Sequence, residues 1–220
     1  MTIAWSYSSL KTFQQCPRKY YHTKVAKDAK DSDTTATLYG KSVHTAAEEY
    51  IRDGVALPPQ FGYLEPMLEQ LKEIPGEKHC ELRLGLTQDL EPCDFFADNV
   101  WWRGIADLVI VDKEKKLAYS VDYKTSKNAR YADIKQLELV ATALFKHFPE
   151  VERIKSALMF VVSNEFVRAI HKPENIQLYL EKPKQDLSRL TAAFSNDVWN
   201  AISGPLCRFC PVRQCEHNKS

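Results

Sequence analysis

Apolar positions change period several times along the chain, and each change marks an element. Leu10, Phe13, Tyr20 and Tyr21 fall at roughly helical spacing after Ser8-Ser9, which can cap, and Pro17 interrupts the run. Lys27 to Thr37 is polar and reads as a loop. Between Tyr39 and Arg52, Val43, Ala46, Ala47 and Tyr50 share one side of a helix that Gly54 would stop. Phe61 to Ile74 reads as a second, short helix. From His79 to Thr87 the period drops to two (Cys80, Leu82, Leu84, Leu86), the mark of a half-buried strand. Two runs rich in β-branched and aromatic residues follow, Trp101 to Val111 and Leu117 to Lys124, parted by a polar break of hairpin length at 112–116. Ala132 to Phe148 predicts a helix with Ile134, Leu137, Val140, Ala141 and Leu144 inward. Ile154 to Ser163 predicts a buried strand, and Pro173 to Trp199 a long helix. Helix, three strands, helix, strand is the order of an α/β fold with a mixed central sheet flanked by helices.

The hairpin carries the chemistry. Asp107 lies inside its first strand, and Asp122-Tyr123-Lys124 ends the second. Residues two apart on a strand share a face, so Asp122 and Lys124 point the same way, and pairing can bring Asp107 beside them. Two carboxylates and a lysine on one face suit a divalent cation, a water nucleophile and a phosphate. The competing reading of Asp122 and Lys124 is a solvent-facing strand pair of small energetic consequence.

Composition adds bounds. The chain has 220 residues, enough for one domain over 1–220, with 44% hydrophobic and 27% charged residues. No apolar run approaches the roughly 20 residues of a membrane span, and the opening Met1-Thr2-Ile3-Ala4-Trp5-Ser6 lacks the features of a signal peptide. The expectation is a cytoplasmic protein without membrane contact. A net charge of +1 means that any basic surface is local, with Arg18, Lys19, Lys24, Lys27 and Lys30, then Lys124, Lys127 and Arg130, as candidates. Six cysteines in such a chain argue for metal binding or catalysis rather than a disulfide framework. Cys207, Cys210 and Cys215 form a C-x₂-C-x₄-C run whose thiols can share a metal centre, with a fourth ligand from elsewhere.

These residues resemble the PD-(D/E)xK nuclease superfamily, and within it the RecB-like branch that includes AddB-type nuclease domains and CRISPR-associated adaptation exonucleases. The stretch Ser9-Leu10-Lys11-Thr12-Phe13-Gln14-Gln15-Cys16-Pro17-Arg18-Lys19-Tyr20 matches that branch's N-terminal signature, and Gly40-Lys41-Ser42-Val43-His44 its glycine-and-histidine helix. Asp107 matches the first acidic motif, Asp122-Tyr123-Lys124 the acidic-x-lysine motif, and Gln136 the start of a helix motif written QxxxY. Val140 stands where that motif has tyrosine. The resemblance implies a restriction-endonuclease-like core over about 39–165 in a single domain. It also implies Mg²⁺ or Mn²⁺ held by His44, Asp107, Asp122 and the Tyr123 carbonyl. Lys124 would orient the attacking water or steady the phosphate charge, and Gln136 would hold water or phosphate. Glu81 could act from behind the ligands. Arg103 either contacts a phosphate or packs on Trp101.

For the cysteines the resemblance implies a [4Fe–4S] cluster held by Cys16, Cys207, Cys210 and Cys215, joining the terminal helices. Closing so long a loop would stabilise by on the order of 4–5 kcal/mol on the disulfide analogy. The last spacer has four residues where relatives have five, and His217 follows, so zinc held by the trio with Cys16 or His217 stays open. Cys80 and Cys93 read as a buried strand residue and a loop residue. The expected function is a metal-dependent DNA exonuclease acting on single-stranded ends, in recombination, repair, or phage or CRISPR DNA processing. Tyr20, Tyr21, Trp101 and Trp102 are available for stacking but rank first as core. No G-x-x-x-x-G-K run appears, so duplex opening would fall to a helicase or recombination partner. The alternatives are an inactive, iron–sulfur- or zinc-stabilised DNA-binding or assembly subunit, and an RNA-directed or structure-specific endonuclease.

Overall fold

In the computed structural model of the protein, residues 3–218 are described. Six helices, α1 (Tyr7–Gln15), α2 (Pro17–Tyr20), α3 (Thr35–Asp53), α4 (Glu65–Glu73), α5 (Lys135–His147) and α6 (Ile176–Asn196), accompany six strands. The strands are β1 (Glu77–Leu86), β2 (Pro92–Cys93), β3 (Trp102–Asp112), β4 (Leu117–Lys124), β5 (Arg153–Phe160) and β6 (Glu165–His171). The chain divides into two compact units, residues 35–179 and a smaller unit joining the stretch up to Thr34 with Leu180 onward.

In the larger unit the strands form one mixed sheet in the order β2-β1-β3-β4-β5-β6. Every neighbouring pair is antiparallel except β4 and β5. A parallel pair needs a crossover, and α5 is that crossover. On one face Val43, Ala47 and Tyr50 of α3 and Leu68 of α4 pack with Leu108, Ile110, Val121 and Met159. Leu137 of α5 packs with Leu158 and Phe160. Met159 belongs to the first cluster and its two neighbours to the second, so β5 is covered on both faces, which is why its sequence is continuously apolar at the end. Each fully buried Leu or Ile contributes about 1.5–3 kcal/mol.

Differences from expectation are local. Helix α3 begins at Thr35, taking in polar residues that read as loop. It ends at Gly54, whose φ of +70° suits a residue without Cβ. The segment 61–74 splits into a 3₁₀ turn, Pro59–Leu64, and α4. Ile134 is 40% exposed rather than inward, because it sits at the N-cap of α5, ahead of the helix's buried stripe. Strands β2 and β6 were not foreseen. The first has two residues, and the second is an edge strand largely open to solvent.

In the smaller unit, Ser6 caps α1, with Ser6 Oγ accepting the Ser9 N–H and Ser9 Oγ accepting the Ser6 N–H. The cap therefore lies two residues before the Ser8-Ser9 pair. Cys16 ends α1 and caps α2, its Sγ accepting the Lys19 N–H, with Pro17 in the first turn where its missing N–H is harmless. Tyr20 is buried, edge-on to Phe13 and Phe194 and stacked on Trp199. Trp102, in the larger unit, is buried as well. Both are core residues. Among the described residues no helix is long and apolar enough to cross a membrane.

Candidate active site

The site lies where the sheet forks. The β3–β4 ladder runs from Asp112↔Leu117 to Leu108↔Val121 and stops. Beyond that point β3 pairs with β1 alone and β4 with β5 alone. Asp107 and Asp122 are the first residues past the last rung. Asp107 closes the gap with its side chain, Oδ2 accepting the Tyr123 N–H at 2.7 Å. A carboxylate thus takes the place of a ladder carbonyl, which fixes its position relative to β4.

Across β1 and β3 the register passes from Cys80↔Leu108 to Leu82↔Ala106, so Glu81 stands opposite Asp107 without a ladder bond. Glu81 has φ +49°, a left-handed conformation inside a strand that costs a non-glycine residue about 1–2 kcal/mol. That kink goes with a side chain brought to the fork. His44, from α3, completes the group. Its Nε2 donates to the Tyr123 carbonyl at 3.0 Å, leaving Nδ1 3.4 Å from Asp107 Oδ2 and 3.9 Å from Glu81 Oε1. One ligand atom from each of His44, Glu81 and Asp107 lies within 4.8 Å of the others, a spacing that one cation can bridge. An imidazole whose second nitrogen donates to a backbone carbonyl is oriented as metal-binding histidines are.

Asp122 has other partners. It is 8% exposed, with Gln136 Nε2 donating to Oδ1 at 2.6 Å. Lys124 Nζ forms an ion pair with Oδ2 at 2.5 Å. Lys124 in turn donates to Gln136 Oε1 at 3.2 Å. Asp122, Lys124 and Gln136 form a closed triangle beside the His44–Glu81–Asp107 group.

Electrostatics tie the two groups together. Burial, and then the charge of Asp107, push the Asp122 carboxyl up to about 6, with Lys124 offsetting part of the shift. Burial and Asp107 also raise Glu81. The Asp107 contact raises His44, against the opposing effect of burial. Carboxyls made harder to ionise beside an imidazole made easier to protonate indicate a pocket short of positive charge. The donor set of two carboxylates and an imidazole suits Mg²⁺ or, with its nitrogen, Mn²⁺.

The model of the PD-(D/E)XK nuclease superfamily matches residues 4–83 and 63–215, nearly the whole chain. The chain belongs to the PD-(D/E)XK nuclease superfamily. Asp107 and Asp122-Tyr123-Lys124, the acids and lysine expected from the sequence, stand at the fork. The crystal structure of a candidate exonuclease from Eubacterium rectale shares the fold, with a TM-score of 0.57 and 14% identity over 96% of this chain and 85% of that one. The structure of SSO0001 aligns at 13% identity over 99% and 88%, with a TM-score of 0.45, too low to add to that. No curated protein matches the chain.

Within the smaller unit Cys16, Cys207, Cys210 and Cys215 all line one cavity of about 430 Å³. Cys16 Sγ accepts N–H groups from Lys19 and, 186 residues along the chain, from Ile202. Cys207 Sγ accepts the Gly204 N–H. Four thiolates around one zinc sit about 3.8 Å apart, given Zn–S bonds of about 2.3 Å. Among the described residues no cysteine trio gathers as closely as the His44 group. Cys80 is only half-buried in β1, and Cys93 lies in β2 rather than a loop. Glu81, read from the sequence as lying behind the ligands, stands beside His44 and Asp107, and its backbone kink has no signature in residue type.

Proposed function

We propose that this superfamily member is a divalent-metal-dependent deoxyribonuclease that degrades single-stranded DNA from its ends. The observation carrying this reading is the convergence of His44, Glu81 and Asp107 on one point, with the Asp122–Lys124–Gln136 triangle alongside. His44, Glu81 and Asp107 would hold Mg²⁺ or Mn²⁺, while the Tyr123 carbonyl, expected as a ligand from the sequence, accepts the His44 Nε2–H. When bound, the ion supplies an acidified water and neutralises charge on a phosphate oxygen. Lys124 directs its ammonium at the attacking water and at charge developing on the phosphate. Gln136 holds Lys124 and Asp122 in register through both ends of its amide. Asp122, expected from the sequence as a further ligand of the ion, turns its oxygens to Gln136 and Lys124 and would hold Lys124 in place beside the ion. Exonuclease action on single strands follows the resemblance to the RecB-like branch, and the Eubacterium rectale protein's description as a candidate exonuclease points the same way.

The four-cysteine cavity supports a [4Fe–4S] cluster over a single zinc, since a cube of iron and sulfide needs thiolates at its corners rather than around one ion. Its role is to staple the two chain ends of the smaller unit. Action on duplex DNA would rely on a partner that opens it.

Incubating labelled linear single-stranded, circular single-stranded and duplex DNA with Mn²⁺ tests the reading. Wild type is expected to degrade the linear single strand and spare the circle, and Lys124→Ala to lose at least about 100-fold in rate. The second reading, a binding subunit with a dead centre, draws on Val140, a buried side chain where the resembled motif has a tyrosine hydroxyl. DNA bound but uncut by both proteins would establish it and overturn the first.

A further inference from the structure

A second feature of the larger unit adjoins the metal group. A cavity of about 840 Å³ is lined by His44, Glu81 and Lys41 together with Arg83 and Ile105. Arg83 and Ile105 are directly opposed on β1 and β3, and Arg103 follows two residues from Ile105 on the same face, opposite Gly85. Over this face stands the Asp94–Ala97 turn. Its Phe95 and Phe96 rings meet edge to face at 4.9 Å. The Arg83 guanidinium lies 5.9 Å from the Phe95 ring and 5.8 Å from the Phe96 ring, and that of Arg103 5.4 Å from Phe95. Phe96 is 66% exposed and Ile105 40%, so the cations and rings are held at the surface rather than packed inside.

The turn is anchored. The Asp94 side chain accepts the Phe96 N–H at 2.8 Å, and the Asp94 carbonyl accepts the Ala97 N–H. β2 pairs with the end of β1, and a Cβ at Gly85 would meet the carbonyl oxygens of Cys93 and Asp94 at 2.8 Å. Only glycine permits that approach. His147 Nε2 donates to the Gly85 carbonyl, holding the same point from α5. A rigid turn that displays a phenylalanine beside two arginines is a surface built before its ligand arrives.

We propose that Phe96, with Arg83 and Arg103, forms a stacking and phosphate-binding station for a single nucleic-acid strand whose next phosphates enter the metal centre. This deepens the nuclease reading and rests on it. Charge complementarity selects the occupant: two arginines attract a phosphodiester backbone, and every base offers a face to an exposed ring without regard to sequence. Four residues of β3 separate Arg103 from Asp107, about 13 Å of strand, the reach of a few nucleotides. The cavity that Arg83 lines is also lined by His44 and Glu81 of the metal group. The station sets affinity and the position of the strand relative to the cut.

The test is fluorescence anisotropy of a labelled 20-nucleotide single strand, with Ca²⁺ present to withhold cleavage. Phe96→Ala is expected to weaken binding about tenfold, within the range for loss of one base stack. Phe96→Trp is expected to keep binding, and its indole fluorescence to be quenched by the DNA. Arg83→Ala and Arg103→Ala together are expected to lower the slope of log affinity against log salt by about 1.4. Affinity within twofold of wild type in Phe96→Ala, or no quenching in Phe96→Trp, would overturn the station and leave this patch to a protein partner. No binding by wild type would overturn it as well. Phe96 is exposed, so misfolding is not expected to confuse the result, and thermal melts of each variant verify that. Cleavage by wild type and its loss in Lys124→Ala are measured separately, so the nuclease reading can stand or fall by itself.

Discussion

Replacing Asp122 with asparagine should stabilise the metal-free protein while abolishing its activity. The Asp122 carboxyl is raised from 3.8 to about 6, first by burial and then by Asp107. A carboxyl that ionises less readily when folded than when unfolded opposes folding wherever it is charged. The penalty is complete above about pH 6, shrinks as the folded carboxyl takes up its proton, and vanishes below about pH 4. Two pKa units correspond to about 3 kcal/mol, so that is the opposition at pH 7.5, and about half of it remains at pH 5. The amide introduced by Asp122→Asn would keep an oxygen to accept from Gln136 Nε2, and Lys124, a third exposed, can turn to water. Urea unfolding in EDTA at pH 7.5 and pH 5 reads the difference. Asp122→Asn is expected to gain up to about 3 kcal/mol at pH 7.5 and about half as much at pH 5, and to cut no DNA. A variant less stable than wild type at pH 7.5, or a gain equal at both pH values, would refute the reasoning.

Other outcomes follow from the same geometry. Glu81→Gln should weaken Mn²⁺ binding by more than about tenfold in calorimetry, since an orienting residue alone is worth that much; unchanged affinity would remove Glu81 from the site. His171, buried and paired with Ser156 Oγ at 2.6 Å, is lowered by burial to about 4. The unfolded chain takes up a proton below about pH 6.5 that the fold refuses, so stability held above that pH is lost toward pH 4, by up to about 3 kcal/mol. His171→Gln should flatten that part of the pH dependence, and an unaltered profile would contradict the assignment. Cys16→Ser should abolish the brown colour of anaerobically purified protein and lower its melting temperature; a colourless wild type containing zinc would count against iron–sulfur.

Much of this was legible because residue type alone encodes it. The Asp107 and Asp122-Tyr123-Lys124 strands were readable from β-branched runs and a polar break, and α3 from Val43, Ala46, Ala47 and Tyr50. The period-two run of Cys80, Leu82, Leu84 and Leu86 located β1. What escaped depends on backbone geometry and tertiary context. The left-handed φ of Glu81 turns an ordinary strand glutamate into a partner of His44, and no residue in the stretch announces it. The expectation that Arg103 packs on Trp101 or meets a phosphate missed Phe95, which reaches it only through the turn after β2. Strand β6 is open to solvent along most of its length and so lacks the apolar period that reveals β1. Ile134 looked like the first inward residue of α5 because periodicity cannot tell a cap from a first turn.

The central claim is a cation held between α3, β1 and β3. Anomalous diffraction at the manganese edge, from crystals soaked in Mn²⁺, tests it most directly. A single peak bounded by His44, Glu81 and Asp107 is the expected result. Density confined to other residues, with those three side chains pointing apart, would contradict it.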